Sequence, residues 1–234
     1  MPLKQKRIKI ALVLLLVLIP ATLLWAFFAL DNQPYYFIAM LLILYAILPF
    51  ALSFERRRPQ AREIVLLAVL CALVVAGRAA FFFVPQFKPM LAMVILFAIP
   101  LGAESGFLIG VLSAFVSNFF FGQGPWTLWQ MFCFGLCGFC SGLFFGRKAR
   151  RPKRLPLCLF GAFCALVLYG GIMNPVSLLL SQAAFTWEAL LTAYAMGFPF
   201  DCVHALATVV FLFILSGPIL DKLERIQRKY GLLK

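Results

Sequence analysis

Arg78, Asp201 and His204 stand inside long apolar runs, where an ionisable side chain is costly and has to be paired or put to use. A guanidinium is a planar fork suited to a carboxylate or phosphate. A carboxylate accepts donors or balances a cation, and an imidazole can serve either way. With about 1.5 Å of helical rise per residue, Arg78 lies about 9 Å and Asp201 about 10 Å from the same end of their runs, so the two are level. Two readings follow. Arg78 and Asp201 form a structural ion pair, or they line a ligand pocket with Arg78 as the anion-binding group. His204 is likewise either a helix-packing residue or a pocket residue. Asn118, Gln130, Tyr169 and Asn174 fall in the same half of their runs, whereas the opposite half offers mostly Ser. That asymmetry favours a pocket open at one end.

The connectors at that end are aromatic and stiffened by proline. Phe81-Phe82-Phe83-Val84-Pro85-Gln86-Phe87-Lys88-Pro89 is one. A second runs from Phe121 through Gln123 and the Gly124-Pro125 turn to Trp126, Trp129 and Gln130. The third, Asn174 to Ala193, is read as the longest connector and carries Phe185, Trp187 and Glu188. Interfacial Trp is ordinary in membrane proteins, but three such segments beside a polar band suit the capping of a flat, partly apolar ligand. Lys88, Gln123, Trp126, Trp129 and Trp187 therefore join the candidates.

Other patterns lead nowhere. Cys133-x3-Cys137-x2-Cys140 has the spacing of a radical iron–sulfur signature but sits in an apolar helix, so no metal is expected. Gly102-Ala103-Glu104-Ser105-Gly106 with His204 resembles an intramembrane serine protease only faintly, since Ser105 and His204 belong to different depths. No Gly-rich phosphate loop is present. No catalytic residue and no cofactor is assigned to this chain.

The elements that must hold these residues are transmembrane helices. The chain has 234 residues, 64% apolar and 12% charged, with a mean hydropathy of +1.01, against about 45–50% apolar and 25% charged in soluble domains. A crossing takes about 20 apolar residues. Eight runs are candidates: Ile10–Leu30, Tyr35–Phe54, Glu63–Val84, Met90–Gly102, Gly106–Phe121, Trp126–Gly146, Leu155–Met173 and Tyr194–Ser216, of which Met90–Gly102 is short and breaks at Pro100. The formal net charge of +13 is concentrated before the first run, after the second, after the sixth and after the last, where 19 of the 21 Lys and Arg lie. With eight crossings all 19 fall on one side, the pattern of cytoplasmic loops. The charge thus marks orientation and calls for no nucleic acid. The fold class is all-α, a polytopic membrane protein with both termini cytoplasmic. Close helix packing in lipid uses small residues four apart. Gly102, Gly106, Gly110 and Ala114 form one such stripe and Gly138, Gly142 and Gly146 another, both read as internal packing. Ala68, Ala72, Ala76 and Ala80 form a third, free of glycine and suited to another protein.

From about Arg62 to Ser216 the chain resembles the substrate-binding S component of energy-coupling factor (ECF) transporters. The resemblance rests on the Ala68/Ala72/Ala76/Ala80 stripe, on Phe87-Lys88-Pro89, and on the segment Ser117 to Met131 around Gly122-Gln123-Gly124-Pro125-Trp126. That last segment is similar to the signature of a subgroup linked with cobalamin or its lower-ligand precursor, dimethylbenzimidazole. The resemblance implies a six-helix membrane core in a bacterial plasma membrane, vitamin capture at the outer face by the three aromatic connectors, and docking of the alanine stripe on a transmembrane T component. It also implies two cytoplasmic ATPases as partners, which use ATP for uptake. The first 61 residues depart from the family pattern. The expected organisation is residues 1–61 as a transmembrane hairpin with a basic linker, 62–216 as the six-helix core, and 217–234 as a basic cytoplasmic tail. The competing reading is a structural cell-envelope or cell-shape membrane protein with no pocket.

Overall fold

The computed structural model describes residues 60–146, 151–181 and 186–230, and Ile47. The two N-terminal runs otherwise lie outside the described residues, as do Arg147, Lys148, Arg150 and Phe185. From Arg58 onward the chain forms one compact unit.

Seven α-helices appear among the described residues: α1 (Ala61–Ala80), α2 (Met90–Leu101), α3 (Ala103–Phe121), α4 (Thr127–Phe145), α5 (Arg154–Phe163), α6 (Gly170–Leu180) and α7 (Trp187–Tyr230). A six-residue π-helical stretch, Cys164–Tyr169, joins α5 to α6. The rod from Arg154 to Leu180 then runs 27 residues, and with α1, α3, α4 and α7 it is long and apolar enough to cross a bilayer. Together with short α2 these are the six expected core elements.

Helix α2 is the hub. It packs against α1, α3, α4, α5 and α7, and every residue but Pro100 is buried. Its 12 residues span only about 18 Å. Pro100 cannot propagate the helix far, and Gly102 then adopts φ 87°, a left-handed conformation natural to glycine, before α3 begins. The bond from Gln227 Nε2 to Pro100 O, 2.7 Å long, satisfies a carbonyl at the end of α2 from α7.

The two glycine stripes form one seam between α3 and α4. A Cβ on Gly106 would lie 2.6 Å from Gly138 O, and one on Gly110 would strike the Phe134 carbonyl. Gly142 faces the backbone of Gly102 and Ala103 in the same way. Backbones this close exclude any larger residue.

Two expectations need correction. The segment Asn174–Ala193 is not a long connector: helix continues to Leu180 and resumes at Trp187. Within α6, Pro175 leaves the carbonyl four residues earlier without its helical donor. Here that carbonyl, Gly171 O, accepts a 2.8 Å bond from Tyr194 OH on α7, so the helix carries on through the proline. Nor does the last helix stop at Ser216. It runs 44 residues to Tyr230, and on its extension Glu224 and Asp221 receive Arg151 at 2.7 and 2.6 Å.

Candidate ligand site

Two polar arrangements lie at the end of the bundle that carries the aromatic connectors. The first is centred on Arg78, in the last turn of α1, where a cation suits the helix dipole. Its Nη1 donates to Ser117 Oγ and, at 2.8 Å, to Asn118 Oδ1. Asn118 Nδ2 passes on to Gln130 Oε1 at 2.8 Å, and Gln130 Nε2 reaches Tyr169 OH at 3.4 Å. Thr127 Oγ1 donates to Gln123 Oε1 at 2.9 Å and accepts from Gly124 N at 3.1 Å, which fastens the tight turn before α4. The Arg78 guanidinium lies 4.2 Å and Lys88 Nζ 5.5 Å from the centre of the Phe121 ring, the geometry of cation–π attraction. Lys88 also donates to Val84 O at 2.7 Å. Burial and the neighbouring Arg78 charge hold its ammonium below the ordinary lysine range. Arg78 Nη1, the Asn118 and Gln130 amides and the Lys88 ammonium are each engaged by a protein group.

The second arrangement is a cavity of about 630 Å³ between α6 and α7. Tyr169, Met173, Ser177 and Ser181 line it at four-residue spacing along one rod, and Ala189, Thr192, Met196, Phe200 and Asp201 along the other. Gln86 and Gln130 close its flanks. Gln86 sits at φ 55°, a left-handed conformation unfavourable for a residue with a Cβ. Such strain concentrates at functional sites. On the wall Asn174 Nδ2 donates to Asp201 Oδ2 at 2.7 Å. Two glycines make room for that pair. A Cβ on Gly170 would stand 2.5 Å from Asp201 Oδ2, and one on Gly197 would collide with Asn174 Oδ1.

Arg78 and Asp201 therefore do not pair. Each has its own partners, with Tyr169 within electrostatic reach of both. Of the expected site residues, Gln130, Asn174 and Asp201 line the cavity, whereas Arg78, Lys88, Asn118, Gln123, Trp126, Trp129, Trp187 and His204 do not. Trp187 is 76% exposed at the start of α7 and Trp129 is 5% exposed within the packing. His204 is buried edge-on to Tyr169, with ring centroids 4.8 Å apart. Phe81 and Phe87 stack on Phe211 of α7, at 5.0 and 5.5 Å, so the first connector is pinned to the bundle near the cavity. Met173, Ser177, Thr192, Met196 and Gln86 were not anticipated. The four-residue stripe Tyr169, Met173, Ser177 was present in the sequence, but it is legible only if helix continues past Pro175.

Ala68, Ala72, Ala76 and Ala80 all face outward from α1, beside the exposed Val65, Val69 and Leu73. Among the described residues no cluster of His, Cys, Asp and Glu could hold a metal ion.

Comparison with known proteins now adds to this geometry. Residues 59–222 match the family model described as "ECF-type riboflavin transporter, S component". A UPF0397 protein of Vibrio atlanticus is 32% identical over 121 residues, 49% of this chain and 66% of that one. UPF0397 proteins of Aliivibrio fischeri and Aliivibrio salmonicida are 34% identical over 89 residues, 36% of this chain and 48% of theirs. The chain thus spans between about half and two thirds of the length of these curated relatives. The match is to a riboflavin family, not to the cobalamin-linked subgroup that residues 117–131 resemble. It covers α1 to α6 and most of α7, the elements that build both polar arrangements, and on that extent the chain belongs to the family of ECF-type riboflavin transporter S components, a transporter family and not an enzyme family.

Proposed function

We propose that this chain is the substrate-specific component of an energy-coupling factor importer and that it captures a flat, fused-ring vitamin in the cavity between α6 and α7. The observation that carries the reading is the cavity, whose 630 Å³ falls within the roughly 300–1,000 Å³ usual for small-molecule sites. The lining combines thioether and aromatic side chains, Met173 and the largely exposed Met196 and Phe200, with amide and hydroxyl groups of Gln86, Gln130, Tyr169 and Asn174. This combination suits a ligand with a flat apolar ring and a polar edge. Riboflavin, named in the family's description, is the first ligand to test. Dimethylbenzimidazole shares with it a dimethylated benzene ring fused to a nitrogen heterocycle, so one apolar surface serves both. A complete cobalamin, with its corrin ring and nucleotide loop, is too large for this space.

The basic residues toward the opposite end, among them Arg62, Arg151, Arg154 and Arg225, support an orientation with the aromatic end outside the cell. The outward alanine face of α1 is the docking surface for the T component, and ATP is hydrolysed by two partner ATPases. The test is titration of the detergent-purified chain with riboflavin, dimethylbenzimidazole and cobalamin. Saturable binding of riboflavin is expected, weakened at least about tenfold by Met173→Trp, which adds bulk at a half-buried position of the lining. No saturable binding of any of the three would overturn the reading and favour a structural envelope protein. Ala72→Trp with Ala76→Trp should abolish co-purification with the T component and leave ligand binding intact. Unimpaired co-purification would remove the docking assignment.

A further inference from the structure

The charge on the cavity wall is opposite to what a search for an anion-binding arginine suggests. Among the described residues Asp201 is the sole formally charged side chain lining the cavity. Arg78 lies outside it, its Nη1 engaged by Ser117 and Asn118 and its face on Phe121. Lys88 also lies outside, bonded to Val84 O. The carboxylate is held in place: Asn174 bonds one oxygen, and Gly170 and Gly197 leave the space in which the pair fits. The other oxygen can then accept from a ligand N–H or O–H. A fixed carboxylate also repels any anion brought into the same space.

Resting on the ligand reading above, we infer that Asp201 is a charge-selectivity residue, which admits the neutral, donor-bearing form of the vitamin and rejects its phosphorylated form. A phosphate monoester carries about −1.5 to −2 charges near neutral pH, and no cation on this wall compensates it. The retained substrate class is therefore an uncharged or cationic fused-ring heterocycle with N–H or hydroxyl donors.

The test compares riboflavin with riboflavin 5′-phosphate on the purified full chain at low salt. Wild type is expected to bind riboflavin at least about tenfold more tightly than the phosphate, a ratio set by Coulomb repulsion at partly solvated distances. Added salt should narrow the gap. Asp201→Asn keeps the side-chain shape and should narrow the ratio several-fold, mainly by improved binding of the phosphate. Ser177→Lys puts a cation on the same wall and should favour the phosphate without touching Asp201. Equal affinities in wild type, or a ratio unmoved by both variants, would overturn the inference while leaving the riboflavin reading intact. Failure of wild type to bind either compound would overturn the ligand reading and, with it, this selectivity.

Discussion

The Arg78 side and the Asp201 side of the bundle lie at the same end and are built in opposite ways. On the Arg78 side, α3 and α4 meet backbone to backbone along glycines, and the cation is enclosed by Ser117, Asn118 and the Phe121 ring. On the Asp201 side, α6 follows a π-helical stretch, α6 and α7 each run on through a proline, and two glycines make room for the Asn174–Asp201 pair on the wall of a cavity. π-Helical segments often mark functional sites. The difference shows how to interpret a charge inside an apolar helix. A charge bonded to side chains of a neighbouring helix, as Arg78 is to Ser117 and Asn118, ties helices together. A charge with one partner and a void beside it is available to a ligand.

The sharpest way to break this contrast is to exchange glycines across it. Gly138→Leu puts a side chain where Gly106 O already sits. The seam has no void to take it up, and overpacking of this kind costs about 1–3 kcal/mol or more. The expected result is loss of monodisperse folded protein on size-exclusion chromatography. Gly171→Ala on the open side meets nothing within 4 Å and relieves a helix of glycine's flexibility. It should be neutral or raise stability by up to about 1 kcal/mol. Equal damage from both would mean that the two sides do not differ in packing.

Next in size is removal of the enclosed cation. Arg78→Leu leaves buried Ser117 and Asn118 without their charged donor, a loss of about 1–3 kcal/mol. The thermal midpoint should fall clearly while the riboflavin affinity of the remaining folded protein stays within about threefold, since Arg78 does not line the cavity. A collapse of affinity without loss of stability would move Arg78 back among ligand contacts and dissolve the distinction.

How much of this was legible beforehand follows the same division. Apolar runs specify helices in lipid almost by length alone, so the six core elements, including half-length α2, were readable. So was the α3–α4 seam, because glycines four apart have one main use there. The Arg78–Asp201 pair, one of the two readings, rests on depth, and depth is correct to a turn but says nothing about azimuth. Gln130, bonded to Asn118 on the Arg78 side, reaches Tyr169, which lines the cavity with Asp201, and only the packing reveals that link. The cavity stayed hidden for a more specific reason. The apolar run ends at Met173, and the bond that carries helix through Pro175 comes from Tyr194, 19 positions after the proline and on another element. Local rules cannot anticipate a hydrogen bond that distant.

A smaller effect is expected from Gly197→Ala, which acts on the open side alone. Its Cβ would displace the Asn174 amide and so loosen the 2.7 Å bond to Asp201. A neutral hydrogen bond to a charged acceptor contributes about 1.5–3 kcal/mol at most, and part of that is recovered by solvent in an open cavity. Riboflavin affinity should therefore fall about three- to tenfold in a titration, with the thermal midpoint nearly unchanged. A stability loss as large as that of Arg78→Leu would show the Asn174–Asp201 pair to be a structural tie after all.

The smallest effect belongs to the opposite end, where charge is exposed and neither enclosed nor beside the ligand. Arg151 is 43% exposed and bridges Asp221 and Glu224 on the α7 extension. Exposed pairs contribute about 0–1 kcal/mol because water and salt screen them. Glu224→Gln should lower the thermal midpoint only slightly at low salt and not at all at high salt, and riboflavin binding should not respond. The tie from Gln227 to Pro100 O on the same extension is uncharged and serves as the control: Gln227→Ala should lose the same stability at both salt concentrations. If Glu224→Gln were as costly as Arg78→Leu, enclosure by protein groups would no longer explain why one ionic site matters more than another. The contrast between the two sides of the bundle would then need a different physical basis.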